Sequence, residues 1–172
     1  MIETEIAVVG SGPAGATAAL LLARRGHRVV VLDRARFPRD KACGEGLMPP
    51  GVAVLRRLGL YDAVIATGAR PLLGVTYRQS GEHGPEACAS FPEPPVGDQV
   101  SGLGIRRTRF DEVLVDALRR EPNVTVLEGE LVTGLVRDRA GDVTGVTARG
   151  EAVRAAVVIG ADGLHSGVRS WA

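Results

Sequence analysis

Aromatic side chains are scarce in this 172-residue chain: one Trp, two Tyr and three Phe, 3% of the sequence. A surface that stacks single-stranded nucleic acid needs more of them. The charge agrees, because 21 basic against 20 acidic side chains leave a net of +1, too even for a nucleic-acid or membrane-surface protein. Cysteine is equally sparse. Cys43 and Cys88 make no disulfide framework and have no second Cys or His at metal-ligand spacing, so no metal site is expected. No run of about 18 strongly apolar residues is present to cross a bilayer. Glu3 and Glu5 stand where a secretory leader would carry basic residues. These absences together lead to the expectation of a cytoplasmic protein with no nucleic-acid partner, no integral membrane segment and an open oligomeric state. Lysine is nearly absent too: among the 21 basic side chains Lys41 is the single lysine.

Apolar residues, at 45%, and glycines, at 23, are plentiful. The first is enough for a buried core, and the second implies many sharp turns or close backbone approaches. The opening reads strand, tight turn, helix, strand. Glu5–Val9 is a short apolar run of the kind buried on both faces in a parallel sheet, and Arg28–Leu32 is a second. Pro13–Arg25 between them has helical character, with Gly26 as a stop. Parallel strands need such a crossover, so the chain begins as a β-α-β unit.

Further on, a polar loop fills Arg34 to Gly46 and a helix is expected from Pro49 to about Leu58. Gly74–Arg78 and Ala87–Phe91 read as strands joined by the turn-rich Ser80–Pro85, before Pro92, Pro94 and Pro95 break regular structure. A helix over Thr108–Arg120 follows, with Thr108 as N-cap and Asp111 three residues on as an approximate capping box. Val124–Leu127 is a strand. Leu131–Val136 and Val143–Ala148 then alternate around Ala140-Gly141-Asp142 as an antiparallel meander, and Val153–Ile159 is a last apolar strand.

Three segments carry chemistry. Gly10-Ser11-Gly12-Pro13-Ala14-Gly15 is a G-x-G-x-x-G that follows a strand, opens a helix and has Asp33 18 residues after its last glycine. That is the context of a dinucleotide site: glycines for the turn and the pyrophosphate, helix N–H groups for the phosphates, an acid for the ribose. The loop Phe37-Pro38-Arg39-Asp40-Lys41-Ala42-Cys43-Gly44-Glu45-Gly46-Leu47 sets cations beside a phosphate site and then small residues able to lie flat against a ring. Read on residues alone, it is equally a solvated basic loop. Gly160-Ala161-Asp162-Gly163-Leu164-His165-Ser166-Gly167-Val168-Arg169 is a strand end, a turn and a new helix start. There Asp162 is either ligand-facing or an N-cap.

With Arg107 of R-T-R-F-D, these segments resemble the FAD-dependent oxidoreductases of the p-hydroxybenzoate-hydroxylase-like superfamily. The likeness runs from Ile6 to Arg169, and the K-x-C-G-E-G loop is most similar to the geranylgeranyl-reductase and flavin-halogenase branches. The resemblance implies an α/β, Rossmann-like FAD-binding fold with a parallel sheet, a crossover antiparallel β-meander and part of a β-rich substrate region. It implies an FAD-binding domain over residues 1–172, incomplete at its C-terminus because a later G-D segment does not occur before Ala172. Residues 70–103 would be a partial substrate-region insertion. Gly10, Gly12, Pro13, Ala14 and Gly15 would hold the FAD pyrophosphate, Asp33 the adenosine ribose, and Arg34 would lie near the adenine. Lys41 to Gly46, with Lys41, Cys43 and Gly44 as the cofactor-binding candidates, would border the isoalloxazine. Arg107 would brace the pyrophosphate and ribityl side, and Asp162 and Gly163 would sit where FAD and the nicotinamide cofactor touch.

The implied function is an FAD-dependent monooxygenase with NAD(P)H as electron donor, acting on a hydrophobic organic or secondary-metabolite small molecule. A geranylgeranyl-reductase-like C=C reductase and a flavin halogenase are the alternatives within the superfamily, the last disfavoured because no W-x-W-x-I-P run is present. Outside that class stand a truncated FAD-binding module with no catalysis of its own and an NAD-only dehydrogenase. No residue is assigned as catalytic acid or base; Cys43 and Glu45 are candidates by position, and His27, His83 and His165 fit surface or supporting roles.

Overall fold

The computed structural model describes residues 2–43, 45–79, 86–91 and 102–172. Gly44, the Ser80–Pro85 turn with His83, and the prolines Pro92, Pro94 and Pro95 lie outside the described residues. In chain order the elements are β1 (Ile2–Val9), α1 (Pro13–Ala23), β2 (Val29–Asp33), β3 (Gly46–Leu47), α2 (Pro49–Arg57), α3 (Tyr61–Ala66), β4 (Arg70–Leu72) and β5 (Gly74–Arg78). After them come β6 (Glu86–Ser90), β7 (Gly102–Gly104), α4 (Arg107–Arg120), β8 (Val124–Glu128), β9 (Val132–Arg137), β10 (Val143–Ala148), β11 (Glu151–Gly160) and α5 (Gly167–Trp171). They form two compact units: Met1–Arg39 with Asp111–Ala172, and Asp40–Phe110.

The first unit is built on a six-stranded sheet of order β8-β2-β1-β11-β10-β9. Its first four strands run parallel, as the apolar runs predicted. The expected meander is β9-β10-β11, and it extends this same sheet antiparallel. Ile6–Val9 and all of Val29–Asp33 are buried, which explains why these strands read as unbroken apolar runs. Helix α1 buries Gly15, Ala16, Ala19, Leu20 and Ala23. Four of the five are glycine or alanine, so the helix axis lies close to the strands. Because β1 stands between β2 and β11, the strand order reverses direction around it, and in such sheets ligands bind in the crevice outside the strands' C-terminal ends at this switch point.

Helix α4 departs from expectation at its start. It begins at Arg107, and the Arg106 carbonyl accepts from the Phe110 amide, so Thr108 lies inside the helix and is not its cap. The Asp111 carboxylate faces Arg39 at 3.6 Å. Phe110, Leu114, Val115 and Leu118 supply the buried stripe.

The second unit holds a three-stranded sheet, β3-β7-β4, whose strands are two or three residues long, and the β5–β6 ribbon. The two expected strands of that ribbon are present, paired antiparallel from Gly74 opposite Ser90 to Arg78 opposite Glu86. Alternation places Thr76, Arg78, Glu86 and Cys88 on one face, where Arg78 pairs with Glu86 and Thr76 meets Cys88. Among the described residues no helix is long and apolar enough to cross a membrane, and no group of His, Cys, Asp and Glu is arranged to hold a metal.

Candidate functional site

The glycine-rich turn is fastened to two neighbouring strand ends. The Gly10 amide donates to the Leu32 carbonyl at 2.7 Å, and the Ala161 amide donates to the Val9 carbonyl at 2.8 Å. Gly10 has φ +97, and a Cβ built on it would stand 2.5 Å from the Ala161 carbonyl oxygen. A side chain there is barred twice, by backbone conformation and by space. Gly15 is constrained by space alone, since a Cβ would overlap the Gly10 carbonyl oxygen. Gly12 is the N-cap of α1 in extended conformation, with Pro13 following; no side chain caps the helix and its first turn holds no acid. Such an end presents free N–H groups and the positive pole of the helix to an anion.

Asp33, at the end of β2, is 7% exposed and Ser11 is fully buried. Asp33 Oδ2 accepts from the Ser11 amide at 2.8 Å and from the Ser11 hydroxyl at 3.0 Å. Its Oδ1 accepts from the Ala35 amide at 2.8 Å. A carboxylate offers about four acceptor positions, so three are used internally and one, on Oδ1, remains for a ligand hydroxyl. Arg34, next in sequence, is exposed.

The Ala161–Ser166 turn closes the same end of the sheet. Asp162 Oδ1 accepts from the Ser166 hydroxyl at 2.6 Å, and Oδ2 accepts from the amides of Gly167 at 2.7 Å and Val168 at 3.2 Å. Burial works against its ionisation, but the Ser166 hydroxyl and the surrounding amides outweigh it, and the carboxyl titrates below its ordinary range. This carboxylate is committed to the start of α5, but the N-cap itself is Ser166, whose hydroxyl oxygen accepts from the Arg169 amide at 3.0 Å. Gly163, beside it, has φ +95. The structure therefore brings Gly10, Gly12, Pro13, Ala14, Gly15, Asp33, Asp162 and Gly163 into one unit, at one end of one sheet. Ser11 is the residue the motif reading passed over. It occupies a variable position of G-x-G, and only the fold shows its hydroxyl facing Asp33.

Arg34 lies in the first unit too, and the remaining expected residues belong to the second. Lys41 and Cys43 are exposed, Gly44 lies outside the described residues, and Arg107 is half-buried in the first turn of α4. Glu45 has φ +54 while its carbonyl accepts from the Ile105 amide at 2.8 Å. It borders a cavity of about 430 Å³ within that unit, together with Arg70, Arg106 and Arg109.

Residues 3–172 match the model of the FAD binding domain family. The chain belongs to that family. It is 35% identical to the menaquinone reductase of Mycolicibacterium smegmatis over 95% of this chain and 38% of that protein. It is also 35% identical to the 6-methylpretetramide 4-monooxygenase of Streptomyces rimosus, over 99% of this chain and 41% of that one. Among solved structures, the myxobacterial chondrochloren halogenase superposes with a TM-score of 0.84 at 29% identity, covering 99% of this chain and 39% of its own. The chain thus spans about two-fifths of the length of these relatives.

The residues of the first unit fit the adenosine and pyrophosphate parts of FAD on their own chemistry. The uncapped start of α1 suits the phosphates, the bare Gly10–Gly15 backbone leaves room for their approach, and the buried Asp33 retains an acceptor for a sugar hydroxyl.

Proposed function

We propose that this chain carries the FAD site of a flavin-dependent monooxygenase that is reduced by NAD(P)H and acts on a hydrophobic organic small molecule. The observation that carries the FAD site is the convergence of the uncapped α1 N-terminus, the buried Asp33 carboxylate and the Ala161–Ser166 turn at the crevice beside β1. When bound, the flavin supplies hydride acceptance from the nicotinamide and the activation of oxygen. The protein's part is binding and placement. Gly10, Gly12, Pro13, Ala14 and Gly15 give the pyrophosphate a backbone cradle, and Asp33 accepts from the adenosine ribose, with Arg34 toward the adenine. Lys41, Cys43, Gly44 and Arg107 would serve the flavin and ribityl side, a reading supported by the family resemblance, and Asp162 and Gly163 would shape the turn facing the nicotinamide.

The monooxygenase reading is supported by the 6-methylpretetramide 4-monooxygenase, which matches nearly the whole chain. A second reading, reduction of a C=C or quinone group in a lipid-soluble substrate, is favoured by the equal identity to a menaquinone reductase. Titration of the purified chain with FAD, followed by anaerobic addition of NADH or NADPH, tests these in turn. Stoichiometric flavin uptake and bleaching by the nicotinamide support an oxidoreductase; oxygen uptake coupled to substrate then separates monooxygenase from reductase. A colourless protein that takes up no FAD overturns the cofactor site. Bound flavin that neither nicotinamide reduces supports a binding module without catalysis in this chain. Gly12→Val should abolish uptake by filling the pyrophosphate approach, and unchanged flavin stoichiometry in that variant would sink the site assignment.

A further inference from the structure

The residue that most affects how Asp33 can read a ligand is Ser11, which lies inside the glycine-rich turn and has no place in the motif. Three observations bear on it. Ser11 is fully buried, so its hydroxyl has no water to satisfy it. That hydroxyl donates to Asp33 Oδ2 at 3.0 Å, on the same oxygen that receives the Ser11 amide at 2.8 Å. The opposite oxygen receives the Ala35 amide at 2.8 Å. A carboxylate turns readily about its last torsion, because that torsion is broad and two-fold. Donors on both oxygens, two on one and one on the other, fix the plane of the group and saturate Oδ2.

We propose that Ser11 is a positioning residue that turns Asp33 into a selective acceptor: with Oδ2 filled, only Oδ1 remains, so the site recognises one of the two ribose hydroxyls of an adenine nucleotide. This rests on the reading of the crevice as the adenosine–pyrophosphate end of the FAD site. Without the Ser11 hydroxyl, the carboxylate is held by one backbone amide on each oxygen, and its plane is free to turn toward the ligand. Either ribose hydroxyl then finds a partner, and the loss of one is compensated by the other.

The test uses ADP, 2′-deoxy-ADP and 3′-deoxy-ADP as probes, with dissociation constants measured calorimetrically on the wild-type chain, Ser11→Ala and Ser11→Gly. The thermal midpoint of each variant is recorded alongside. The wild-type chain should bind one of the two deoxy analogues about tenfold or more weakly than ADP, as expected for a lost hydrogen bond to a charged group, and the other nearly as well as ADP. In both variants the two analogues should bind within about threefold of each other. Should Ser11→Ala prove unable to fold, Ser11→Gly carries the same comparison, since it also removes the hydroxyl. A folded variant that keeps the wild-type preference overturns the proposal. So does a variant that loses affinity for all three ligands by one common factor, because that marks a merely structural serine. A wild-type chain that binds neither ADP nor FAD overturns the dinucleotide reading itself, an outcome separate from a wild-type chain that binds all three alike, which overturns only the role of Ser11.

Discussion

The Arg39 guanidinium lies with Nη2 3.6 Å from Asp111 Oδ2, and Asp111 has no solvent exposure at all. Arg39 also covers the Phe37 ring, with its guanidinium carbon 5.0 Å from the ring centre. Withdrawing a carboxylate from water is costly, and the partner's charge roughly offsets that cost only while both are present. Asp111→Ala should therefore destabilise the chain by about 3 kcal/mol or more, lowering the thermal midpoint by several degrees. Replacing both residues with apolar ones, as in Arg39→Met with Asp111→Leu, should cost much less than the single change. Urea unfolding of the single and double variants checks this, and a double variant at least as unstable as Asp111→Ala would contradict it.

That ion pair also marks where sequence reading stopped. The strand-turn-helix of Ile2–Ala23 was legible because its signals are local: an apolar run, glycines at a turn, a proline in the first helical turn. The meander was legible from alternation and from the Ala140-Gly141-Asp142 turn, where Asp138 gathers the amides of Ala140 and Asp142. Asp111, three residues after a threonine, gave the pattern of a capping box, but the helix begins before that threonine, and the carboxylate faces Arg39, a partner distant in sequence. Likewise β3, β4 and β7 are too short to show any periodicity, and Pro71 sits within one of them. They exist because Leu103 pairs with both Leu47 and Pro71, which only the assembled chain can show. Of the candidate site, the glycine turn and Asp33 were readable from spacing, whereas the Ser11 hydroxyl bond required the fold.

Gly10 and Gly26 offer a paired test of why the first turn must be glycine. Both have positive φ, +97 and +95. An added Cβ at Gly26 meets nothing within 4 Å, whereas at Gly10 it would meet the Ala161 carbonyl oxygen at 2.5 Å. Gly26→Ala should cost only the backbone strain, about 1–2 kcal/mol. Gly10→Ala adds a collision with rigid backbone at the junction of β1 and β11, and should cost more in stability and also weaken FAD uptake. Equal unfolding midpoints for the two variants would show that the Ala161 turn yields easily, against the close packing of Gly10 on the Ala161 carbonyl.

Asp162 ties stability to acidity. Its carboxyl titrates below the ordinary range in the folded chain: burial opposes ionisation, but the Ser166 hydroxyl and the amides of Val168 and Gly167 favour it more. A folded value lower than the unfolded one means that folding favours the ionised form. The resulting stability is fully present above the unfolded carboxyl range and is lost as pH falls toward the folded value. Asp162→Asn removes this contribution at neutral pH, so it should be less stable than the wild-type chain there. The gap should close progressively once the pH drops below the ordinary carboxylate range, where wild-type Asp162 is protonated too. Ser166→Ala should show a gap that only partly closes in acid, since it removes both a bond that favours the carboxylate and the N-cap acceptor of the Arg169 amide, which does not titrate. Urea midpoints of the three proteins across the acid range test the argument, and a gap that stays constant with pH would refute it.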